Sequence, residues 1–134
     1  MALRLDFDFI YHYDTSKIGI TIPVLLGQGD NIVEVDAKLD CGSTYCVFER
    51  QWGEALGLNI ERGHPQRIST ATGSFLAYGH QITFSVFEVE FESVFYFAAD
   101  ESFNRNVLGQ RGFLDRIVCG LDDYQGRFYL RSNA

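Results

Sequence analysis

Proline is nearly missing from this chain: Pro23 and Pro65 are the only two among 134 residues, so no Pro-rich linker divides it. Cysteine is scarce and odd in number. Cys41, Cys46 and Cys119 form no CxxC pair, whereas a disulfide framework needs an even, denser set. Reduced thiols and a cytoplasmic location are the expectation. Basic residues are also few, eleven Lys and Arg against eighteen Asp and Glu, for a formal net charge of −7. They are scattered, and even the stretch from Arg111 to Arg116 is interrupted by Asp115. Phosphate binding needs clustered cations, so nucleic acid is not an expected partner. No apolar run reaches bilayer length, so no membrane partner is expected. The opening MALRLDFDFIYHYD lacks the basic start and apolar core of a signal peptide. His12, His64 and His80 form no HxxxH, and Cys41 and Cys46, five apart, fall on opposite faces of a strand. Neither a metal nor an organic cofactor is expected.

What remains is a hydrophobic share of 46% and an aromatic share of 15%, enough to build a packed core. Strand formers dominate the places where alternation is clearest. Residues 1–134 read as a single domain, with residues 1–14 as an N-terminal strand at a dimer interface or a sheet edge. In that segment Leu3, Leu5, Phe7, Phe9 and Tyr11 alternate with polar neighbours. A second strand runs from about Gly19 to Leu26, and GQGDN makes a turn. In the third, Val33, Val35, Ala37 and Leu39 face one way while Glu34, Asp36 and Lys38 face the other, which fixes the register of Asp40 at its end.

After Gly42 a short strand through Tyr45, Cys46 and Val47 leads into FERQWGEALGL. There Phe48, Trp52, Ala55 and Leu56 have helical spacing and Gly57 is a C-cap candidate. Trp52 reads as core. From Arg67 to Ala99 the pattern is of β-hairpins with a turn near Gly73 and Ser74. Ala99 to Asn106 is polar loop, QRGFLDR is short and helical, and a last hairpin joins Ile117–Leu121 to Arg127–Arg131. Many short strands with one or two short helices give an all-β, barrel-like architecture.

The first candidate for chemistry is Asp40-Cys41-Gly42. An Asp at the end of an apolar strand, followed by glycine, puts a carboxylate at the rim of a sheet, although turn chemistry alone explains Asp and Gly there. Its context adds more. In LDCGSTYCVF the Asp follows one aliphatic strand and a new apolar strand leaves after the turn; downstream, Val107-Leu108-Gly109 precedes a short helical stretch. This order of elements, from about Ile18 to Leu130, resembles the retropepsin-like aspartic peptidases. Its sharpest points are DCGST, the glycine-bearing hairpin ATGSFLAYG and NVLGQRGFLD. Ile117-Val118-Cys119-Gly120 is a weaker second match to the apolar-apolar-Gly element.

The resemblance implies a retropepsin-like acid-protease β-barrel and a peptidase with one catalytic aspartate, Asp40, per protomer. The partner is then Asp40 of a second copy, in a homodimer acting on a peptide or protein substrate held extended. Two carboxylates a few ångströms apart cannot both ionise cheaply, so the pair shares a proton. Cys41, Gly42, Ser43 and Thr44 would form the active-site loop. Ala71, Thr72, Gly73 and Ser74 would form a flap, and Leu108 and Gly109 would support the loop from behind. Gly42 and Gly109 also read as ordinary turn glycines, and the flap as an ordinary surface hairpin. Arg111 would pair with an acid near the loop. Cys41 stands where the family usually has Thr or Ser; a thiol is a weaker hydrogen-bond partner, so the brace between the two loops should be looser. A reactive-thiol role for Cys41 has no nearby base in the sequence. The alternative is a domain that keeps this fold for binding or assembly without catalysis.

Overall fold

The computed structural model describes residues 1–133. Ten strands form two sheets. The larger is built from β2 (Thr21–Gln28), β3 (Asn31–Leu39), β4 (Val47–Phe48), β5 (His64–Thr70), β6 (Gly73–Val86), β7 (Val89–Ala98) and β8 (Val107–Leu108). Their spatial order is β2-β3-β8-β4-β7-β6-β5, and an added β2–β6 pairing, Leu25↔Ser85 to Gly27↔Thr83, curls the sheet back on itself. The smaller sheet is β1 (Phe9–His12), β10 (Arg127–Ser132) and β9 (Ile117–Asp122), in the order β1-β10-β9. The all-β expectation is met.

The β2–β3 hairpin follows from its sequence. Gln28 pairs with Asn31, leaving Gly29 and Asp30 as a two-residue turn with Gly29 at φ +59°, the left-handed backbone that such a turn requires. Val35 and Ala37 of β3 are buried as their alternation predicts, beside Ile22, Val24 and Leu26 of β2. The core is finished by aromatic side chains: Phe48, Phe84, Phe95, Phe97, Phe113 and Phe128 are all fully buried. Phe84 lies within 5.0–5.4 Å, centroid to centroid, of Phe91, Phe95 and Phe113. Each such ring adds a large apolar area to the core, and those around Phe84 add edge or tilted contacts to it.

Three sequence expectations need correction. The alternation from Leu3 does not continue into a strand: pairing begins at Phe9, with Phe9↔Leu130 the first partners, and Leu3 and Leu5 remain 86% and 62% exposed. By this register Ser132, the last residue of β10, lies opposite Phe7, so β10 offers no backbone to residues further upstream. The helix is also shorter than its spacing suggests. Helix α1 covers Arg50–Ala55, Phe48 belongs to β4, and Ala55 is exposed. Gly57 at φ +81° ends the helix as expected, while Asn31 Nδ2 caps the Leu56 carbonyl at 3.1 Å. Beyond Gly109 a single 3-10 turn, Leu114–Arg116, replaces the expected helix, because Gly112 at φ +104° breaks any helical run.

Candidate active site

Asp40 sits where β3 ends. Strand β8 lies parallel to β3, with Lys38↔Val107 and Leu39↔Leu108, and the Asp40 amide donates to the Leu108 carbonyl at 2.9 Å. Val107 also pairs antiparallel with Val47 of β4, so β8 is wedged between the strand entering the Asp40 loop and the strand leaving it. A long-range β8 of two residues is enough to fix the loop at both ends. Of the two apolar-apolar-Gly stretches, Val107-Leu108-Gly109 therefore backs Asp40, while Ile117–Gly120 runs in β9 of the small sheet.

Within the loop the Gly42 amide donates to Asp40 Oδ1 at 3.0 Å and the Ser43 amide to the Asp40 carbonyl at 3.1 Å. The carboxylate is exposed and makes no ion pair among the described residues. Glycine suits this closeness: a Cβ at position 42 would lie 3.2 Å from Asp40 Oδ1, tight enough to press on the carboxylate. Ser43 turns inward, its hydroxyl donating to the Tyr45 carbonyl at 2.7 Å. Cys41 and Thr44 are exposed on the loop surface.

Support from behind comes from residues 108–111. The Gln110 and Arg111 amides donate to the Ser43 and Thr44 carbonyls, both at 2.8 Å. Gly109 is packed so tightly that a Cβ would lie 2.6 Å from the Ser43 carbonyl oxygen and collide with that of Tyr45. Leu108 is fully buried beneath. Two supports were not legible in the sequence. Gln110 Nε2 donates to the Cys41 carbonyl at 2.8 Å, and the buried Cys46 sulfur accepts the Gly109 amide at 3.3 Å. Burial pushes the Cys46 thiol up to about 12. Arg111 pairs with no acid among the described residues; its guanidinium lies over the Tyr45 ring, 6.0 Å from the centroid. The extra residue between Gly109 and Arg111 carries the guanidinium past the loop and gives the bracing position to Gln110.

The β5–β6 hairpin stands over this loop. Thr70 pairs with Gly73, so its tip is Ala71-Thr72, slightly before the expected turn, and Ala71, Thr72, Gly73 and Ser74 are all exposed. Thr70 Oγ1 donates to the Gly73 carbonyl at 3.2 Å and accepts the Thr72 amide at 3.4 Å. Asp40, Gly42 and Ser43 share a hollow of about 230 Å³ with Ile68, Thr70 and Phe75 of the hairpin. Its far wall is the 99–106 loop, where Phe103 meets the Phe75 ring at 4.8 Å. That loop is anchored to α1: the Asn106 side chain accepts the Glu49 amide and donates to the Glu49 carboxylate, both at 3.0 Å, and Arg50 Nη1 donates to the Ala99 carbonyl at 3.1 Å. Phe103 and Arg105 line the hollow with Phe75 of the hairpin, but nothing in the sequence marked these two, because their proximity to Asp40 exists only in three dimensions.

The family model for aspartyl proteases matches residues 21–111, which contain Asp40, the hairpin and β8. The chain belongs to that family. Its fold is also that of a solved retropepsin-like aspartic protease from Rickettsia conorii, with a TM-score of 0.64 over 96% of this chain and 96% of that one. Identity between the two is 13%, so this second likeness bears on the fold alone. No curated protein matches the chain as a relative. The aspartyl protease match ends at Arg111, so the small sheet made by β1, β9 and β10 lies outside it. No helix among the described residues is long and apolar enough to cross a membrane.

Proposed function

We infer that the protein is an aspartic endopeptidase that works as a homodimer, with Asp40 of each protomer contributing one carboxylate to a shared site. The observation that carries this reading is the exposed, unpaired Asp40 carboxylate, oriented by the Gly42 amide in a retropepsin-like fold. A single chain supplies one such Asp, so the second must come from a copy related by a two-fold axis. Leu3 and Leu5, exposed beside the small sheet, offer apolar surface for that copy to cover.

In the assembled site the two carboxylates share one proton, since charging both at close range is costly. The ionised carboxylate removes a proton from a water molecule, whose oxygen attacks the scissile carbonyl carbon. The protonated carboxyl donates to the carbonyl oxygen as the tetrahedral intermediate forms. Collapse of that intermediate breaks the C–N bond and returns a proton to the leaving amine. The substrate lies extended between the Asp40 loop and the β5–β6 hairpin, where Ala71–Ser74 act as a flap that excludes water on closure. Cys41, Gly42, Ser43 and Thr44 shape the loop, with Leu108 and Gly109 as its backing. The chain acts as one domain, and its free thiols suit the cytoplasm.

Incubation of the purified protein with a pooled peptide library at acidic and neutral pH tests this reading. Cleavage by the wild type and none by Asp40→Asn is the expected result. A verified dimer that cleaves nothing contradicts it and leaves a binding or assembly domain.

A further inference from the structure

Three hollows follow one another outward from Asp40. The first, about 230 Å³, contains Asp40 and is walled by Phe75, Phe103 and Arg105. The second, about 380 Å³, shares Gly42, Ser43, Ile68 and Ser69 with the first and adds Arg67 and Arg111. A third, about 490 Å³, shares Tyr45, Gln66 and Arg111 with the second and adds Asp115 and Arg116. Together they form a groove along β5, the terminal strand of the large sheet.

The charge of this groove is opposite to that of the chain. Four of the eleven cations line it, Arg67, Arg105, Arg111 and Arg116, against only Asp40 and Asp115 of the eighteen acids. Asp115 is occupied: it accepts the Gly112 amide at 3.0 Å and lies 3.8 Å from Arg116 Nε. The other three arginines are exposed and pair with no carboxylate among the described residues. Arg67 donates to the Ser74 hydroxyl at 3.1 Å, and Arg111 rests over Tyr45. In a protein of net charge −7, where carboxylates outnumber cations, three arginines without a carboxylate partner among the described residues present ready forks for carboxylates from outside.

We propose that this groove selects acidic peptides, in which Asp or Glu residues flank an apolar residue seated against the Phe75 and Phe103 pair beside Asp40. As far as cleavage is concerned, this rests on the peptidase reading above. An extended peptide rises about 3.3 Å per residue and returns alternate side chains to one face, so carboxylates two and four residues from the apolar one meet the same arginine-bearing wall. The flanking charges also draw the peptide in against the repulsion of the protein as a whole.

The test uses three labelled peptides with one apolar centre and flanks of Glu, Gln or Lys. Their binding to Asp40→Asn protein is followed by fluorescence anisotropy, and their cleavage by wild type in competition. The Glu-flanked peptide is expected to bind about tenfold more tightly than the Gln-flanked one in dilute buffer, with the Lys-flanked one weakest and the spread shrinking at about 0.5 M salt. Arg67→Gln with Arg111→Gln, and separately Arg105→Gln, should narrow the Glu-to-Gln ratio; these exposed changes leave the thermal melt in place. Equal binding of all three peptides, or preference for Lys, overturns the proposal even if all are cleaved. Ranked binding with no cleavage supports charge selection and removes the peptidase reading instead.

Discussion

Gln110 Nε2 donates a hydrogen bond of 2.8 Å to the main-chain carbonyl of Cys41, so the residue after Gly109 holds the Asp40 loop across 69 positions of sequence. Its loss in Gln110→Leu should cost about 1 kcal/mol in stability, the ordinary net value of one hydrogen bond. The rate of peptide cleavage should fall further than that, by about tenfold in kcat with KM little changed, because a loosened loop misplaces the carboxylate. Gln110→Glu keeps the shape but cannot donate when ionised, and should resemble the Leu variant. Denaturant titration alongside steady-state kinetics separates the two effects.

Gly109 tolerates no side chain. In Gly109→Ala the new methyl must displace the Ser43 and Tyr45 carbonyls, which form the inner wall of the loop. Overpacking against backbone should cost about 3 kcal/mol, read from the urea midpoint.

The three free thiols should separate cleanly in a labelling experiment. Cys41 is exposed, Cys119 half-buried and Cys46 buried. An aromatic disulfide reagent should modify Cys41 at once and Cys119 slowly; burial, and next the nearby Cys41, push the Cys119 thiol up. Cys46 should react only as the protein unfolds.

Cys46 also gives stability an alkaline limit. Its thiol has an ordinary value of 9.0 and is pushed up to about 12 in the fold by burial, so the folded state holds the proton more tightly than the unfolded chain. This contribution is complete below pH 9.0 and is lost as pH rises toward about 12. Tyr13, raised to about 12 by burial and by its hydrogen bond to Asp123, adds to the same decline. Melts from pH 8 to about 11 should fall less steeply for Cys46→Ala than for wild type.

The parts of the fold legible in the sequence are those set by local rules. The alternation of β3 placed Asp40 at a strand end, and the Gly29-Asp30 turn and the Gly57 helix end follow from backbone preference. The apolar Val107-Leu108-Gly109 could be matched to Asp40 through the family's order of elements. What was not legible depends on partners far along the chain. Leu3 and Leu5 alternate like a strand, but alternation does not supply a neighbour, and β10 stops opposite Phe7. Gln110 is an unremarkable polar residue until the fold brings it under Cys41. Phe103 and Arg105 sit in a polar loop whose place beside Asp40 is set by the Asn106–Glu49 contacts.

The central claim is that one Asp40 from each of two protomers makes the site, and a mixing curve tests it most directly. Wild type and Asp40→Asn are combined at constant total concentration, allowed to exchange subunits, and assayed for peptide cleavage. If both carboxylates are required, activity follows the square of the wild-type fraction, so an equal mixture retains about one quarter of full activity. A straight line, with about one half remaining in the equal mixture, would mean that each protomer cleaves alone and would contradict the shared site.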